Sequence, residues 1–366
     1  MRSDRELHTP TRPDPGSTMW AVVQSSYGPP DQLRIETLRV PQIGDTDVLV
    51  EVHAAGAGRG AWHLLTGTPL MARLGIGLRR PRRPVAGTDV AGVVMATGSK
   101  VDRFEPGDRV FGIGRGTIAE LAAVPASKLA SIPPNCSFAE ASILAESGVT
   151  ALQAVHDRAE VRPGDRVLVL GASGGVGSFA VQMSAGLGAR VTGVCRSDKT
   201  SAVRAFGADE VVAYDRADIT ERGDRELFDV IVDAGGRHPL RRLRRILTPR
   251  GRLVIVGGEG GGRITGGFGR GFRAAALSPF VGQRLTMVVS KETSADLERL
   301  GDLVADGTVR PPLERTLPLD RAADAFALLE AGEVTGKVAV VVRADPPAPH
   351  DDAGPATGPA TGQSNV

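Results

Sequence analysis

Three glycines at three-residue spacing, Gly171, Gly174 and Gly177, are the residues of this chain best suited to hold a reactive ligand. Glycine at such positions lets a backbone turn tightly, approach a pyrophosphate and pack the following helix against a sheet. Their surroundings fit that use. Val167 to Leu170 is all apolar, as a strand covered on both faces of a parallel sheet requires. Phe179, Val181, Met183 and Leu187 then fall in a proline-free segment able to form a helix, and Val191 to Val194 supplies a second strand. The first-turn N–H groups of that helix would face the phosphates, with the positive end of its dipole behind them. A glycine triplet alone is weak evidence. Set in the order strand, turn, helix, strand, it predicts dinucleotide binding.

The end of the second strand bears on which dinucleotide. A site for NAD ordinarily places Asp or Glu there to hold the ribose 2′-OH. Here the text is Val194-Cys195-Arg196-Ser197-Asp198-Lys199, with no carboxylate at the tip. Arg196 lies 19 residues past Gly177, where a 2′-phosphate would sit. Its guanidinium fork suits phosphate. Lys199 adds positive charge, while Asp198 argues the other way from a later position. The expectation is NADP(H) over NAD(H). That Arg196 is only a solvated loop charge stays open.

Composition narrows the class. A length of 366 residues suggests two domains, and 41% apolar residues suffice for sizeable cores. A formal net charge of +2 gives no general affinity for nucleic acid or membrane. Cys136 and Cys195 follow no metal-ligand spacing, and neither is placed as a nucleophile. A chain of this size with two cysteines is expected to be cytoplasmic and reduced. No stretch reaches the roughly 18 uninterrupted apolar residues of a membrane span. Residues 1–18 are charged and proline-rich without an apolar signal core. They and residues 344–366 are expected to be disordered tails.

Between the tails, short strands and turns from Met19 to about Ala130 predict an all-β half, a partly open barrel. The pattern turns helical near Ser137, and after Pro163-Gly164 strands and helices alternate. Leu285-TMVVS is the expected last strand of that sheet, and Gly336-KVAVVV closes the chain. Two long segments, residues 70–84 and 257–280, are expected to shape substrate choice, the second as a glycine-rich mobile flap.

Gly87-TDVAGVV, Pro106-GDRVFG, Gly148-VTALQA, Gly171-ASGGVG, Gly207-AD and Gly336-KVAVVV occur in one order. In that order they resemble the medium-chain dehydrogenase/reductase superfamily, and more narrowly its zinc-independent quinone oxidoreductase branch. The resemblance covers about residues 19–343. It implies an α/β plus β architecture: a GroES-like barrel over residues 19–143, completed by 310–343, with a Rossmann domain inserted at 144–309. The cofactor would lie between them. Ser173, Gly174, Gly175 and Val176 match the pyrophosphate loop, Arg196 the 2′-phosphate site and Tyr214 a position beside the adenosine. Thr150 matches a threonine near the nicotinamide, Val256 and Gly257 the strand end over its face, and Lys337 a lysine at the cleft. The superfamily commonly dimerises through edge strands of the Rossmann sheet, which makes Leu285-TMVVS the candidate homodimer edge.

Zinc is the branch point. Zinc alcohol dehydrogenases of the superfamily carry a Cys near the Gly58 position and a His-Glu pair where this chain has Thr88-Asp89. A catalytic zinc needs about three protein ligands. Glu146 falls near the third-ligand region, but two expected ligands are missing, and a four-cysteine structural site is impossible with two cysteines. No zinc is expected. Conjugated acceptors suit a metal-free site, because their own π system spreads the incoming charge. His63, after Trp62, falls where related reductases carry a tyrosine close to the nicotinamide, and is the candidate proton donor. A cofactor contact for His63, with solvent as the acid, is the alternative. Trp62 is either a wall for a planar substrate or barrel core. Gly58-Arg59-Gly60-Ala61 stands where many relatives carry Asn-Pro or an acidic residue, and Arg59 is the candidate to take over that role. The leading reading is a zinc-free NADP(H)-dependent reductase of quinones or α,β-unsaturated carbonyls. A non-catalytic NADPH-binding sensor or partner, and an alcohol dehydrogenase with an unrecognised metal site, are the alternatives.

Overall fold

The computed structural model describes residues 16–225, 227–257 and 262–343. Seven strands come first: Thr18–Val23 (β1), Arg34–Arg39 (β2), Asp47–Ala57 (β3), Asp89–Thr97 (β4), Arg109–Ile113 (β5), Leu121–Pro125 (β6) and Leu129–Ser131 (β7). Six follow in the second half: Arg166–Leu170 (β8), Arg190–Cys195 (β9), Glu210–Ala213 (β10), Phe228–Asp233 (β11), Leu247–Val256 (β12) and Arg284–Val288 (β13). Leu313–Pro318 (β14) and Lys337–Val341 (β15) then return to the first half.

β8 to β13 form one parallel sheet in the order β10-β9-β8-β11-β12-β13. The chain order reverses between β8 and β11, the switch point of a Rossmann fold, where ligands gather at the carboxyl ends of strands. Successive side chains on a strand point to opposite faces. Val167, Val169, Val230, Val232 and Val254 therefore join Phe179 and Met183 in one core, while Leu168, Leu170, Ile231, Leu253 and Ile255 join Leu243 and Ile246 in another. Both faces are covered, which is why these strands read as continuous apolar runs rather than as alternations.

The GroES-like half is a sheet in the order β14-β15-β3-β4-β5-β7, with β6 also paired to β3. β15 is antiparallel to β3, with Val338 opposite Ala57. The last strand thus completes a sheet begun by the first half of the chain. β14 was not expected from sequence. It reads Leu-Glu-Arg-Thr-Leu-Pro and is largely exposed, so it carries neither an apolar run nor a clean alternation.

The expectation of a mobile flap over residues 257–280 is corrected for most of its length. Phe268–Leu277 is a helix packed on β13. A Cβ on Gly271 would lie 2.0 Å from Met287 Sδ, so glycine here permits close packing rather than motion. Arg270 anchors the same helix by donating to the buried Asp233 carboxylate at the end of β11 (2.6 Å) and to His238 O (2.7 Å). Residues 258–261 of that segment lie outside the described residues, as do residues 1–15 and 344–366 of the expected tails. The other variable segment holds a 3-10 turn, Leu70–Ala72, and a short helix, Arg73–Ile76. Leu70 N–H and Met71 N–H donate to Arg263 O and Ile264 O (2.9 and 3.1 Å), which fastens the two segments together. Among the described residues no helix is long and apolar enough to cross a membrane.

Phe179 is fully buried where the helix after β8 meets the sheet. Phe179→Ala is expected to cost about 3–5 kcal/mol. Urea unfolding of the two proteins checks this, and a loss under about 1 kcal/mol would contradict that packing.

Candidate active site

A cleft of about 480 Å³ lies between the barrel and the carboxyl ends of the parallel strands. All six strands contribute to it: Gly171 follows β8, Arg196 β9, Tyr214 β10, Gly235 β11 and Gly257 β12, and Val288 closes β13. The opposite wall comes from the barrel at Arg59, Gly60 and His63, from the helix Ala145–Leu152 at Glu146, Ser147 and Thr150, and from β15 at Lys337. Of the candidate residues, Arg59, His63, Thr150, Gly171, Ser173 to Gly177, Arg196, Lys199, Tyr214, Val256, Gly257 and Lys337 all line this one cleft. Trp62 does not. It packs on the barrel core, edge-on to His63 at 5.2 Å between ring centroids, with the Arg59 guanidinium 5.1 Å over its ring.

The glycine loop fits a pyrophosphate. Gly174 is extended and caps a 12-residue helix, Gly175–Gly186, whose first N–H groups face the cleft. A Cβ on Gly177 would sit 2.1 Å from Gly171 O, so no larger residue allows this turn. The loop is also clamped from the far side, because Gly336 N–H donates to Ser173 O at 2.8 Å.

The adenosine end is less open than sequence implied. Arg196 lines the cleft, but both arms of its guanidinium bind Asp198, at 2.7 and 2.6 Å. Lys199 Nζ donates to Gly332 O (2.8 Å) and Val334 O (2.7 Å). Its charge therefore ties the chain before β15 to the Rossmann sheet. Tyr214 is 37% exposed, and the Arg237 guanidinium stacks over its ring at 4.4 Å. Arg237 also lines the cleft and was not anticipated. Its only sequence signal is its place just past the β11 strand end, after Asp233-Ala-Gly-Gly.

The chemistry of the barrel wall centres on Lys337. Its ammonium donates to Asp89 Oδ2 at 2.8 Å and to Ser147 Oγ at 3.3 Å, with both charged side chains essentially out of solvent. Asp89 Oδ1 accepts from Glu146 N–H (2.9 Å). Glu146 Oε1 accepts from Gly60 N–H (2.7 Å), and Oε2 accepts from Thr88 Oγ1 (3.3 Å). Cβ atoms on Gly58 and Gly60 would lie 2.9 and 2.1 Å from the Glu146 carboxylate. The two glycines and the glutamate therefore share one volume: the Glu146 carboxyl fills the space that side chains at these two positions would take. Burial, then the neighbouring Asp89 charge, push the Glu146 carboxyl up to about 7. Burial likewise raises Asp89, against the pull of Lys337.

This donor set does not fit a catalytic zinc. Gly58 and Thr88 offer no strong ligand, Asp89 is engaged by an ammonium, and among the described residues no three His, Cys, Asp or Glu side chains converge. His53 is buried and stacks on Phe138 at 4.1 Å, away from the cleft. Both thiols are buried and pushed up by that burial, Cys136 to about 12 and Cys195 to about 11, which makes them poor nucleophiles.

Removing one partner of a buried pair strands the other charge. Lys337→Met is therefore expected to cost about 3–5 kcal/mol, while the double variant Lys337→Met/Asp89→Leu regains much of it. Denaturant unfolding of the single and double variants checks this; purely additive losses would show that the pair is not coupled.

Comparison with known proteins agrees with this architecture. Residues 44–134 match the family described as alcohol dehydrogenase GroES-like domain, and residues 206–340 match zinc-binding dehydrogenase. The chain is 30% identical over 361 residues to NAD(P)H oxidoreductase RTN4IP1, mitochondrial, of Mus musculus, covering 89% of this chain and 90% of that protein. It is 30% identical over 341 residues to the NADPH-dependent alkenal/one oxidoreductase, chloroplastic, of Arabidopsis thaliana, covering 88% and 79%. The solved quinone oxidoreductase of Coxiella burnetii superposes with a TM-score of 0.78 at 27% identity, covering 89% of this chain and 100% of that one. With the barrel, the inserted Rossmann sheet and the glycine-loop cleft already in place, these matches establish that the chain belongs to the medium-chain dehydrogenase/reductase superfamily of oxidoreductases.

Proposed function

We propose that this protein is a zinc-free NADP(H)-dependent reductase of quinones or α,β-unsaturated carbonyls. The observation that carries the reading is the cleft itself. One wall is a glycine-loop cradle for a dinucleotide, and the facing wall bears an ammonium and two carboxyls instead of a metal-ligand set. The relative named an NADPH-dependent alkenal/one oxidoreductase and the solved quinone oxidoreductase support the same class.

When bound, the nicotinamide would supply a hydride. The chain's part is to hold, orient and desolvate. The Gly174–Val176 loop would hold the pyrophosphate, Arg196 the 2′-phosphate, and Tyr214 with Arg237 the adenine side. Val256 and Val288, both buried at strand ends, would back the nicotinamide ring and exclude water. Conjugated acceptors fit because orientation and one proton then suffice. A carbonyl without conjugation would ask the site for the oxyanion stabilisation that a metal provides.

Two observations refine the cofactor preference. Arg196 lines the cleft at the end of β9, where a 2′-phosphate would sit, and Asp198 competes for it at 2.6 Å. Arg196→Ala is expected to raise the KM for NADPH about tenfold, the loss of one charged hydrogen-bonding partner, with little change for NADH. Asp198→Ala frees the guanidinium and should lower the NADPH value. The assay follows loss of NADPH absorbance with ortho-quinones, para-quinones and enones, with a chelator-treated sample alongside. Chelator-resistant turnover with one acceptor class supports the reading. Saturable NADPH binding with no turnover on any acceptor favours the sensor reading instead.

The proposal includes a homodimer through β13. That strand is the outer edge of the Rossmann sheet, and Val289 just past it is 59% exposed. Light scattering is expected to give twice the 38.1 kDa chain mass; a monomer mass would remove this part.

A further inference from the structure

Inside the cleft wall, one cation faces two carboxyls. Asp89 and Lys337 are nearly inaccessible, and Glu146 lies half-buried beside them. If both acids were ionised the cluster would carry a net negative charge out of water, which is costly, so such sites keep a proton. The hydrogen bonds decide where that proton sits. Asp89 accepts a charge-assisted bond from the Lys337 ammonium at 2.8 Å and a second bond from Glu146 N–H at 2.9 Å, both of which favour its ionised form and leave the proton to Glu146. Glu146 Oε1 accepts from Gly60 N–H at 2.7 Å. That leaves Oε2, whose neighbour Thr88 Oγ1 at 3.3 Å is a hydroxyl and can accept as well as donate. Oε2 also faces the volume that a side chain at Gly58 would fill, and both Gly58 and Glu146 line the cleft.

Resting on the reductase reading above, we propose that Glu146 Oε2 carries the proton that completes the reduction, with Asp89 and Lys337 as positioning residues that keep it there. After a hydride reaches the conjugated carbon of an enone, its C=C π bond has become an enolate. The Oε2–H bond then breaks, a C–H or O–H bond forms on the substrate, and Glu146 is left as a carboxylate. Water entering the cleft returns the proton. A quinone follows the same balance, taking hydride and proton to the hydroquinone.

The groups facing Glu146 account for its behaviour. Burial raises it most, Asp89 from β4 raises it further, Lys337 from β15 lowers it, and Gly60 N–H and Thr88 stabilise its ionised form. Glu292, after β13, adds negative charge on Asp89 and is partly balanced by Lys128 at 3.5 Å. His63 and Arg59 line the cleft from the neighbouring helix. The net balance leaves the carboxyl titrating at about 7. The acid form is the active donor, so kcat should be level below that pH and fall as pH rises through it.

The test is the pH profile of kcat for NADPH-dependent reduction, together with the Kd for NADPH, in wild type and Glu146→Gln. The amide keeps the shape and the acceptor for Gly60 N–H but has no proton to give. The expected result is a kcat lower by about a hundredfold, loss of the alkaline limb, and a Kd for NADPH within threefold of wild type. His63→Gln, whatever its effect on rate, should retain the limb. Infrared spectroscopy of the unaltered protein gives a reading that needs no variant to fold: a protonated-carboxyl band present at pH 6 and lost at pH 8, absent in Glu146→Gln. A Glu146→Gln enzyme with kcat within threefold of wild type and the same alkaline limb would overturn the inference alone. No turnover by wild type on any acceptor would overturn the reductase reading and this inference with it.

Discussion

The ammonium of Lys337 is the constraint on which the active cleft depends. It reaches from β15 to Asp89 at the start of β4 and to Ser147 on the helix Ala145–Leu152. Its aliphatic shaft packs beneath the phosphate loop, where a Cβ on Gly175 would lie 3.3 Å from Lys337 Cδ. One side chain therefore fixes the spacing between the barrel, the connecting helix and the dinucleotide loop. Because it is buried, it can do so only with a carboxylate at hydrogen-bonding distance. Asp89 answers that need, and Asp89 in turn orients Glu146 through its backbone N–H.

Glu146 shows how a site can be rebuilt from another element. From sequence alone, the segment Gly58-Arg59-Gly60 reads as the loss of a side chain that the resemblance leads one to expect. In space it makes room: the two glycines leave the volume that the Glu146 carboxyl occupies, and Gly60 N–H binds it directly. The carboxyl that occupies the space comes from the helix Ala145–Leu152, 86 positions after Gly60. A residue-by-residue comparison along one stretch cannot see such an exchange.

Much of the fold was legible because it rests on periodicity. The apolar runs at β8, β9, β11 and β12 follow from a sheet covered on both faces, and the glycine spacing follows from a turn that excludes a Cβ. Many residues that line the cleft could be read for the same reason, since they sit at or just past strand ends. What could not be read depends on partners far apart in sequence. β14 is an exposed edge strand without an apolar pattern. The glycines of residues 266–271 read as freedom, whereas Gly271 lets a helix lie against Met287. Lys199 and Arg196 read as free charge for a phosphate, but nearby carbonyls and Asp198 already engage them.

The pairing of β15 with β3 joins the last described strand to one near the start of the chain. During synthesis the Rossmann strands emerge as a continuous block and can pair with one another while the barrel still lacks a member. Until β15 arrives, Ala54 to Ala57 of β3 lack a partner on one edge, and Asp89 lacks its cation. The barrel wall of the cleft is thus complete only once the last described strand is in place. A chain interrupted before residue 337 would retain a dinucleotide-binding sheet but lack the barrel closure and the cation that make the cleft.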